Sequence, residues 1–113
     1  MISKNLAEGA TEFVANALKL YLHLPETPLK ASANDRQTAA NLHTRGIGLA
    51  TIESALLLAS VRRLTRSPDL PPLAPVRSLA YFLPVIEEIL GNPIQEEYLD
   101  YLRRKTGMLS SKR

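Results

Sequence analysis

The most apolar part of the chain is residues 49–66, with the sequence LATIESALLLASVRRLTR. On a helical wheel of about 100° per residue, Ile52 and Leu56 share one face and Leu57 falls on nearly the opposite one. A surface helix carries one apolar stripe, whereas a helix that is apolar all round is buried on most sides. The pattern therefore predicts a central core helix in which Leu57 and Leu58 are both nearly inaccessible to solvent.

Apolar residues at helical spacing predict four further helices. Residues 18–24 also alternate like a strand, but a helix is preferred because a lone strand would have no partner elsewhere in the sequence. The sequence thus predicts an all-α fold, a compact five-helix single domain that spans residues 1–113 around the central helix at 49–66. The other helices are expected at residues 3–22, 33–45, 78–90 and 93–106, with residues 107–113 as a frayed tail.

The boundaries of the second predicted helix have clear capping residues. Ser32 followed by Asp35 resembles a capping box, with Asp in the place usual for Glu or Gln. Gly46 is suited to the left-handed position that follows a helix, and Ile47 can supply the hydrophobic contact after it. We therefore expect a tight turn that leads directly into the central helix.

Residues 67–75 have the sequence SPDLPPLAP and contain four prolines. Because proline lacks a backbone N–H and fixes φ, this stretch is predicted to be an extended loop. An alternative is that it serves as a proline-rich ligand, since Pro68 to Pro71 and Pro72 to Pro75 have a PxxP-like spacing.

A proline and a glycine bear on the shape of the last two predicted helices. Pro84 lies in the middle of the fourth and should kink it or split it in two. A kinked single helix is preferred because the apolar stripe keeps its phase across the proline. Gly107 is expected to end the fifth helix, whose predicted buried stripe consists of Ile94, Tyr98, Tyr101 and Leu102.

The composition is that of a globular protein, with 45% hydrophobic and 22% charged residues in 113 positions. The chain has no cysteine, which excludes disulfides, thiolate catalysis and cysteine-ligated zinc. No apolar run is long enough to span a bilayer, and the first residues lack the apolar centre of a signal peptide. We expect a cytoplasmic protein without a membrane partner.

No residue pattern indicates catalysis. His23 and His43 lie in different segments without metal-ligand spacing, so no metal site is expected. The adjacent carboxylates at residues 87–88 and 96–97 point to different helix faces, which is typical of solvated charges rather than an acid–base pair. Nucleophile motifs, phosphate-binding glycine loops and dinucleotide fingerprints are not found. The sequence predicts a non-enzymatic protein without a cofactor.

Residues 37–53 have the spacing of a helix-turn-helix motif. Leu42, Gly46, Ile47 and Ile52 occupy positions that such a motif fills with a packed residue, a turn glycine and two buried apolar side chains. A recognition helix, however, must present polar side chains to base edges, and this one soon becomes Ala-Leu-Leu-Leu-Ala. Helix-turn-helix geometry that serves packing is therefore favoured over true groove recognition.

Two segments resemble known replication proteins. RGIGLATIESAL, a proline-rich loop and the helix with Tyr81, Val85 and Ile89 together resemble DnaD-type replisome-organiser domains, over roughly residues 35–90. The chain departs from that pattern because it contains no tryptophan, which usually ends the family's motif. RSLAYFLPVIEEIL is also similar to C-terminal portions of bacterial replication-initiator-like proteins from plasmids and mobile elements. The resemblance implies a bacterial accessory domain that binds DNA or a replication protein, and implies no particular contact residue.

The net charge is +3, from 14 Lys and Arg against 11 Asp and Glu. If the last two helices run antiparallel, the basic residues at three helix ends gather at one end of the domain, as a phosphate-contacting edge without sequence specificity. The alternative is that each cation caps its own helix or pairs locally, as Asp100 can with Arg104. The candidate nucleic-acid-binding residues are Arg62, Arg63, Arg66, Arg77, Arg103, Arg104 and Lys105.

The sequence therefore predicts a DNA-associated accessory domain that binds single- or double-stranded DNA through this basic edge. The alternative is a protein-interaction or homo-oligomerisation module that binds no nucleic acid. A homodimer is suggested by Leu18, Leu20, Leu22 and Leu24, since they form more apolar surface than one side of a short helix can bury.

Overall fold

The computed structural model describes the backbone of residues 2–111 and the side chains of residues 9–109. Within this part of the chain there are five α-helices and no strands, which confirms the predicted all-α fold. A short 3₁₀ turn at Leu79–Phe82 precedes the fourth helix. The helices are α1 (Ile2–Leu22), α2 (Ala33–Thr44), α3 (Leu49–Leu64), α4 (Leu83–Gly91) and α5 (Glu96–Ser111).

Helix α3 is the centre of the fold, as its apolar pattern predicts. It packs against α1, α4, α5 and the 3₁₀ turn, and Ile52 and Leu56 are fully buried within this arrangement. Leu58 is also buried, but Leu57 is only half-buried, so the prediction of an inaccessible Leu57 is wrong. Leu57 lies where α1, α3 and α5 meet and lines a small cleft of about 170 Å³ between them.

The leucines near the end of α1 pack inside the chain's own core. Leu18 and Leu24 are buried, and Leu20 and Leu22 are half-buried against the same cluster. Part of the apolar surface that suggested a homodimer is therefore buried within one molecule. Tyr21 is fully buried among them.

Both ends of α2 form as the sequence predicts. Ser32 Oγ accepts a hydrogen bond from the backbone N–H of Asp35, and Asp35 Oδ2 accepts one from the backbone N–H of Ser32, which makes the capping box. Gly46 has φ of +78°, and Ile47 N–H donates to the carbonyl oxygen of Leu42 at 3.1 Å. These are the features of a Schellman turn, which satisfies carbonyl groups at the end of a helix.

Asp35 also connects α2 to the 3₁₀ turn. Its carboxylate is almost completely buried, and Oδ1 accepts a hydrogen bond from the backbone N–H of Leu79 at 2.9 Å. A capping residue predicted from local sequence thus also holds a segment that lies 44 positions further along the chain.

Pro84 does not kink a single helix, contrary to the preferred prediction. The segment is split, with the 3₁₀ turn before Leu83 and Pro84 in the first turn of α4. Proline is tolerated there because the first backbone N–H groups of a helix have no partner within the helix. The apolar stripe keeps its phase because Phe82, Ile86 and Ile89 of both elements face the same core.

Helix α5 differs from its prediction in where it starts and ends. It begins at Glu96 rather than Pro93 and continues through Gly107 to Ser111. Gly107 is not in the left-handed conformation that ends a helix, so residues 107–111 are helical and not a frayed tail. Residues 112 and 113 lie outside the described part of the chain.

The buried face of α5 is also rotated relative to the prediction. Leu102 is buried and Ile94 packs against the core, as predicted, but Leu99 and Thr106 take the remaining buried positions, and Tyr98 and Tyr101 are 43% and 44% exposed. The correct stripe follows spacings of three and four residues, about 100° away from the one that the tyrosines would define. The leucines occupy the buried positions, and the tyrosines remain partly exposed beside them.

Candidate functional site

Residues 67–75, which we call the proline segment, run over the surface at the C-terminal end of α3. The segment starts with a turn in which Leu70 N–H donates to the carbonyl oxygen of Ser67 at 3.1 Å. Just beyond its end, the buried Val76 donates its N–H to the carbonyl oxygen of Glu26 at 2.9 Å. The prolines restrict φ between these two points, so the segment has few alternative conformations.

Arg63 of α3 anchors the proline segment to the rest of the fold. Its side chain is only 8% exposed. Its Nη2 donates to the carbonyl oxygen of Ala74 at 2.7 Å and to Glu26 Oε2 at 3.1 Å. Its Nη1 donates to Tyr81 Oη at 3.0 Å, and the guanidinium carbon lies 5.4 Å from the centre of the Tyr81 ring. Arg63 thus joins α3, the loop after α1, the proline segment and the 3₁₀ turn.

The surroundings keep Arg63 charged. Burial lowers the pKa of Arg63, but the hydrogen bonds and the charge interactions with Tyr81 and Glu26 together raise that pKa by more, so the group remains protonated. Glu26 sits in the left-handed region with φ of +66°, which is uncommon for a residue with a side chain. This conformation lets the chain reverse after α1 while the Glu26 carboxylate reaches Arg63.

Two clefts meet on this surface and share Leu73 and Arg63. The larger, of about 390 Å³, lies between the proline segment and the end of α3, where Leu70 and Arg66 also line it. The smaller, of about 250 Å³, is lined mainly by apolar groups, including Tyr81. Leu70, Leu73 and Tyr81 are each 44% to 50% exposed. We call this area the proline-segment surface, formed by Leu70, Pro71, Pro72, Leu73, Tyr81 and Val85.

Two further arginines of the predicted basic edge are engaged in ion pairs. Arg62 donates to both oxygens of Glu88 at 2.6 and 2.9 Å, and this contact raises the pKa of Arg62 and lowers that of Glu88. Arg103 donates to both oxygens of Glu53 at 2.7 and 3.0 Å and to Asp100 at 2.8 Å. These contacts raise the pKa of Arg103 above its ordinary value.

The predicted cations are not gathered in one patch. Arg103 pairs with Glu53, which precedes Arg62 by nine residues in α3 and so lies about 13 Å away along the axis. Asp100 pairs with Arg103 rather than with Arg104, the partner that the sequence suggested. Carboxylates on other elements thus engage Arg62, Arg63 and Arg103, which are three of the seven predicted cations. The other four predicted cations form no ion pair with a carboxylate among the described residues. They are Arg66, Arg77, Arg104 and Lys105.

The helix-turn-helix segment packs its second helix into the core. Beyond its first turn, α3 is buried under α1, α4 and α5, whereas Ala50 is exposed and Thr51 is half-buried. Glu53, one of the few polar groups near its start, is held by Arg103.

Sequence reasoning missed the residues that hold the proline segment. Glu26 follows Pro25 in a short turn, and no local pattern connects it with Arg63, which is 37 positions away. The carbonyl oxygen of Ala74 is a backbone group, so the identity of residue 74 does not indicate that it accepts a hydrogen bond from Arg63. Tyr81 contributes to the resemblance to DnaD-type domains, but no sequence pattern connects it with Arg63.

Comparisons with protein-family models, with curated proteins and with solved structures give no significant match. None of the described helices has the length and the apolar character needed to cross a bilayer. Among the described side chains, no group of three or more His, Asp or Glu residues is placed to share a metal ion. The structural class that emerges is a five-helix, all-α domain with an anchored proline segment.

Proposed function

We propose that this protein is a non-enzymatic interaction module that binds a protein partner through the proline-segment surface and uses no cofactor. The observation that carries the proposal is the burial of Arg63, which directs its hydrogen bonds to the Ala74 carbonyl, Glu26 and Tyr81. An arginine used in this way positions a segment rather than contacting phosphates. The segment that it positions presents Leu70 and Leu73 to solvent.

The surface has the properties of a preformed binding site. Binding a partner costs the conformational freedom of the groups that become ordered, and a segment already fixed by prolines and by Arg63 has less of it to lose. Apolar groups at its centre, a tyrosine and arginines at its rim match the composition of protein interfaces. Arg66 lines the larger cleft without a carboxylate partner among the described residues, which favours an acidic group on the partner beside its apolar contacts.

The test uses two matched leucine variants. Leu73→Asp places a charge at the junction of the two clefts, whereas Leu29→Asp changes a residue that is 98% exposed and lines neither cleft. Each variant is immobilised and used to capture proteins from a cell lysate. Proteins captured by the wild type and by Leu29→Asp, but not by Leu73→Asp, are purified and titrated by calorimetry. We expect Leu73→Asp to weaken binding at least about tenfold and the wild-type heat-capacity change to be negative. Equal binding by both variants would contradict the proposal.

A second candidate function is nucleic-acid binding, as the basic residues and the resemblance to bacterial replication proteins suggest. The supporting observation is that Arg66, Arg77, Arg104 and Lys105 have no carboxylate partner among the described residues. Under this proposal the protein is a bacterial, cytoplasmic accessory domain that contacts DNA and a replication protein. Binding should then weaken with salt in proportion to the number of phosphates contacted.

Fluorescence anisotropy with single- and double-stranded DNA at two salt concentrations tests this second candidate. The informative variant is Arg66→Glu combined with Arg104→Glu, because reversing the buried Arg63 would also destabilise the fold. Loss of binding in the double variant, with an unchanged circular dichroism spectrum, supports the candidate. A homodimer through the half-buried Leu20 and Leu22 is a separate proposal, and sedimentation at micromolar concentration tests it.

A further inference from the structure

One face of α5 carries aromatic and basic groups that the core does not use. Tyr98 and Tyr101 stack on each other with ring centres 5.7 Å apart and an angle of 18° between the planes. Arg104 is exposed one turn further on, and Met108 is 58% exposed in the turn after that. Together with Lys105, these residues fall within an arc of about 120° of the helix, adjacent to the buried stripe.

The charge on this face is available to an anion. Asp100 is occupied by Arg103, and neither Arg104 nor Lys105 forms an ion pair with any described carboxylate. Glu97 is the acidic group on the same face, next to Tyr98 and one turn before Tyr101. The two basic residues follow the tyrosines towards the C-terminus, so the aromatic part and the cationic part of the face are consecutive.

We infer that this face binds single-stranded nucleic acid, with an unpaired base stacked on a tyrosine ring and the adjoining phosphates near Arg104 and Lys105. Aromatic side chains on a charged surface bind single strands in this way, because every base has a face that can stack. A duplex keeps its bases within its own stack, so it can meet the cations but not the rings. The inference rests on the second candidate function above and gives it a site and a nucleic-acid form.

The probe is a labelled oligothymidylate, and the rings are tested separately from the charges. Tyr98→Leu with Tyr101→Leu removes both rings but keeps apolar bulk, and we expect binding to weaken about tenfold or more. Tyr98→Phe with Tyr101→Phe keeps the rings and should bind like the wild type. Because the protein has four tyrosines and no tryptophan, tyrosine fluorescence should fall on binding in the wild type and not in the leucine variant.

Charge variants complete the test. Arg104→Gln with Lys105→Gln should weaken binding and reduce the salt dependence by the contribution of up to about two phosphates. Glu97→Gln should strengthen binding, because it removes the carboxylate that would repel the strand. The changed side chains of Tyr98, Tyr101, Arg104 and Glu97 are exposed, and circular dichroism checks that each variant folds.

Three results would overturn the inference. The first is the absence of oligothymidylate binding at low salt. The second is unchanged binding in both the leucine variant and the Arg104→Gln, Lys105→Gln variant, which would leave nucleic-acid binding intact but place it elsewhere. The third is duplex binding as tight as single-strand binding, since the rings would then contribute nothing.

Discussion

Arg63 and Ala74 are joined by a hydrogen bond of 2.7 Å from the guanidinium of α3 to a backbone carbonyl of the proline segment. A backbone acceptor does not depend on residue type, so the contact fixes where the segment lies and leaves its side chains free to face solvent. The same guanidinium is held by Glu26 and Tyr81. Arg63 therefore holds the proline-segment surface in place, while exposed side chains such as Leu70 and Leu73 are the groups that a partner would contact.

The first prediction concerns the free energy of unfolding of an Arg63 variant. Arg63→Met should destabilise the protein by about 2–3 kcal/mol, because it leaves a carboxylate and a carbonyl group without their charged donor. The matched control is Arg62→Met, whose ion pair with Glu88 is about half-exposed and should be worth less than about 1 kcal/mol. Urea unfolding measures both values. Equal losses in the two variants would show that burial of Arg63 contributes nothing.

The second prediction concerns the two roles of Asp35. Asp35→Ala removes the acceptor for the backbone N–H groups of Ser32 and Leu79 and should cost about 2–4 kcal/mol. Ser32→Ala removes only the local cap and should cost about 1 kcal/mol. The difference between the two, measured by thermal unfolding, is the contribution of the contact with the 3₁₀ turn. If Ser32→Ala is as damaging as Asp35→Ala, that contact is without effect.

The third prediction compares two adjacent leucines in α3. Leu58→Ala should cost about 2–5 kcal/mol because it opens a cavity in the core. Leu57→Ala should cost about 1–2 kcal/mol, since Leu57 is half-buried beside a cleft that is already open. Denaturant unfolding of the two variants under identical conditions tests this order, and the reverse order would place Leu57 in the core.

The fourth prediction concerns the pH dependence of stability. Burial, and then the negative charge of Asp35, raise the pKa of Tyr21 to about 12 from its ordinary value of 10.0. The unfolded chain releases this proton at lower pH than the folded chain does, so the contribution to stability is complete below pH 10. It should be lost as the pH rises from 10 to about 12, with a total of about 2–3 kcal/mol.

Tyr21→Phe is the control for that pH dependence. The Tyr21 hydroxyl is buried without a hydrogen-bond partner among the described residues, so the variant should be as stable as the wild type at pH 7 or more stable by up to about 1 kcal/mol. Its stability should also fall less steeply between pH 10 and 12. A large loss at neutral pH would mean that the hydroxyl forms a hydrogen bond that stabilises the fold.

The parts of the fold that the sequence predicted well depend on local interactions. The capping box at Ser32 and the turn at Gly46 involve residues within six positions of each other, so their geometry follows from residue type and spacing. The central position of α3 was predictable because no surface helix carries apolar residues on all sides. In each case one short stretch contains all the information.

The parts that were not predicted depend on competition between distant residues. Leu102 was correctly predicted to be buried, but only packing against α3 selects Leu99 rather than Tyr98 and Tyr101 as its neighbours in the core. The partners of the basic residues were not predicted, because the carboxylates that reach Arg62, Arg63 and Arg103 lie on other elements. Spacing within one helix cannot show which charges will meet across the fold.

The left-handed residue Glu26 has a consequence for how the molecule opens. Its carbonyl oxygen is the acceptor for Val76 N–H, and its side chain meets Arg63, so both contacts require segments that are far apart in sequence. Contacts in loops of this kind open locally at a lower free energy than the hydrogen bonds in the middle of a core helix. Deuterium should therefore replace the Val76 amide hydrogen sooner than amide hydrogens in the middle of α3. A partner bound to Leu70 and Leu73 would slow that replacement. The exchange rate of the Val76 amide would therefore report whether the proline-segment surface is occupied by a partner.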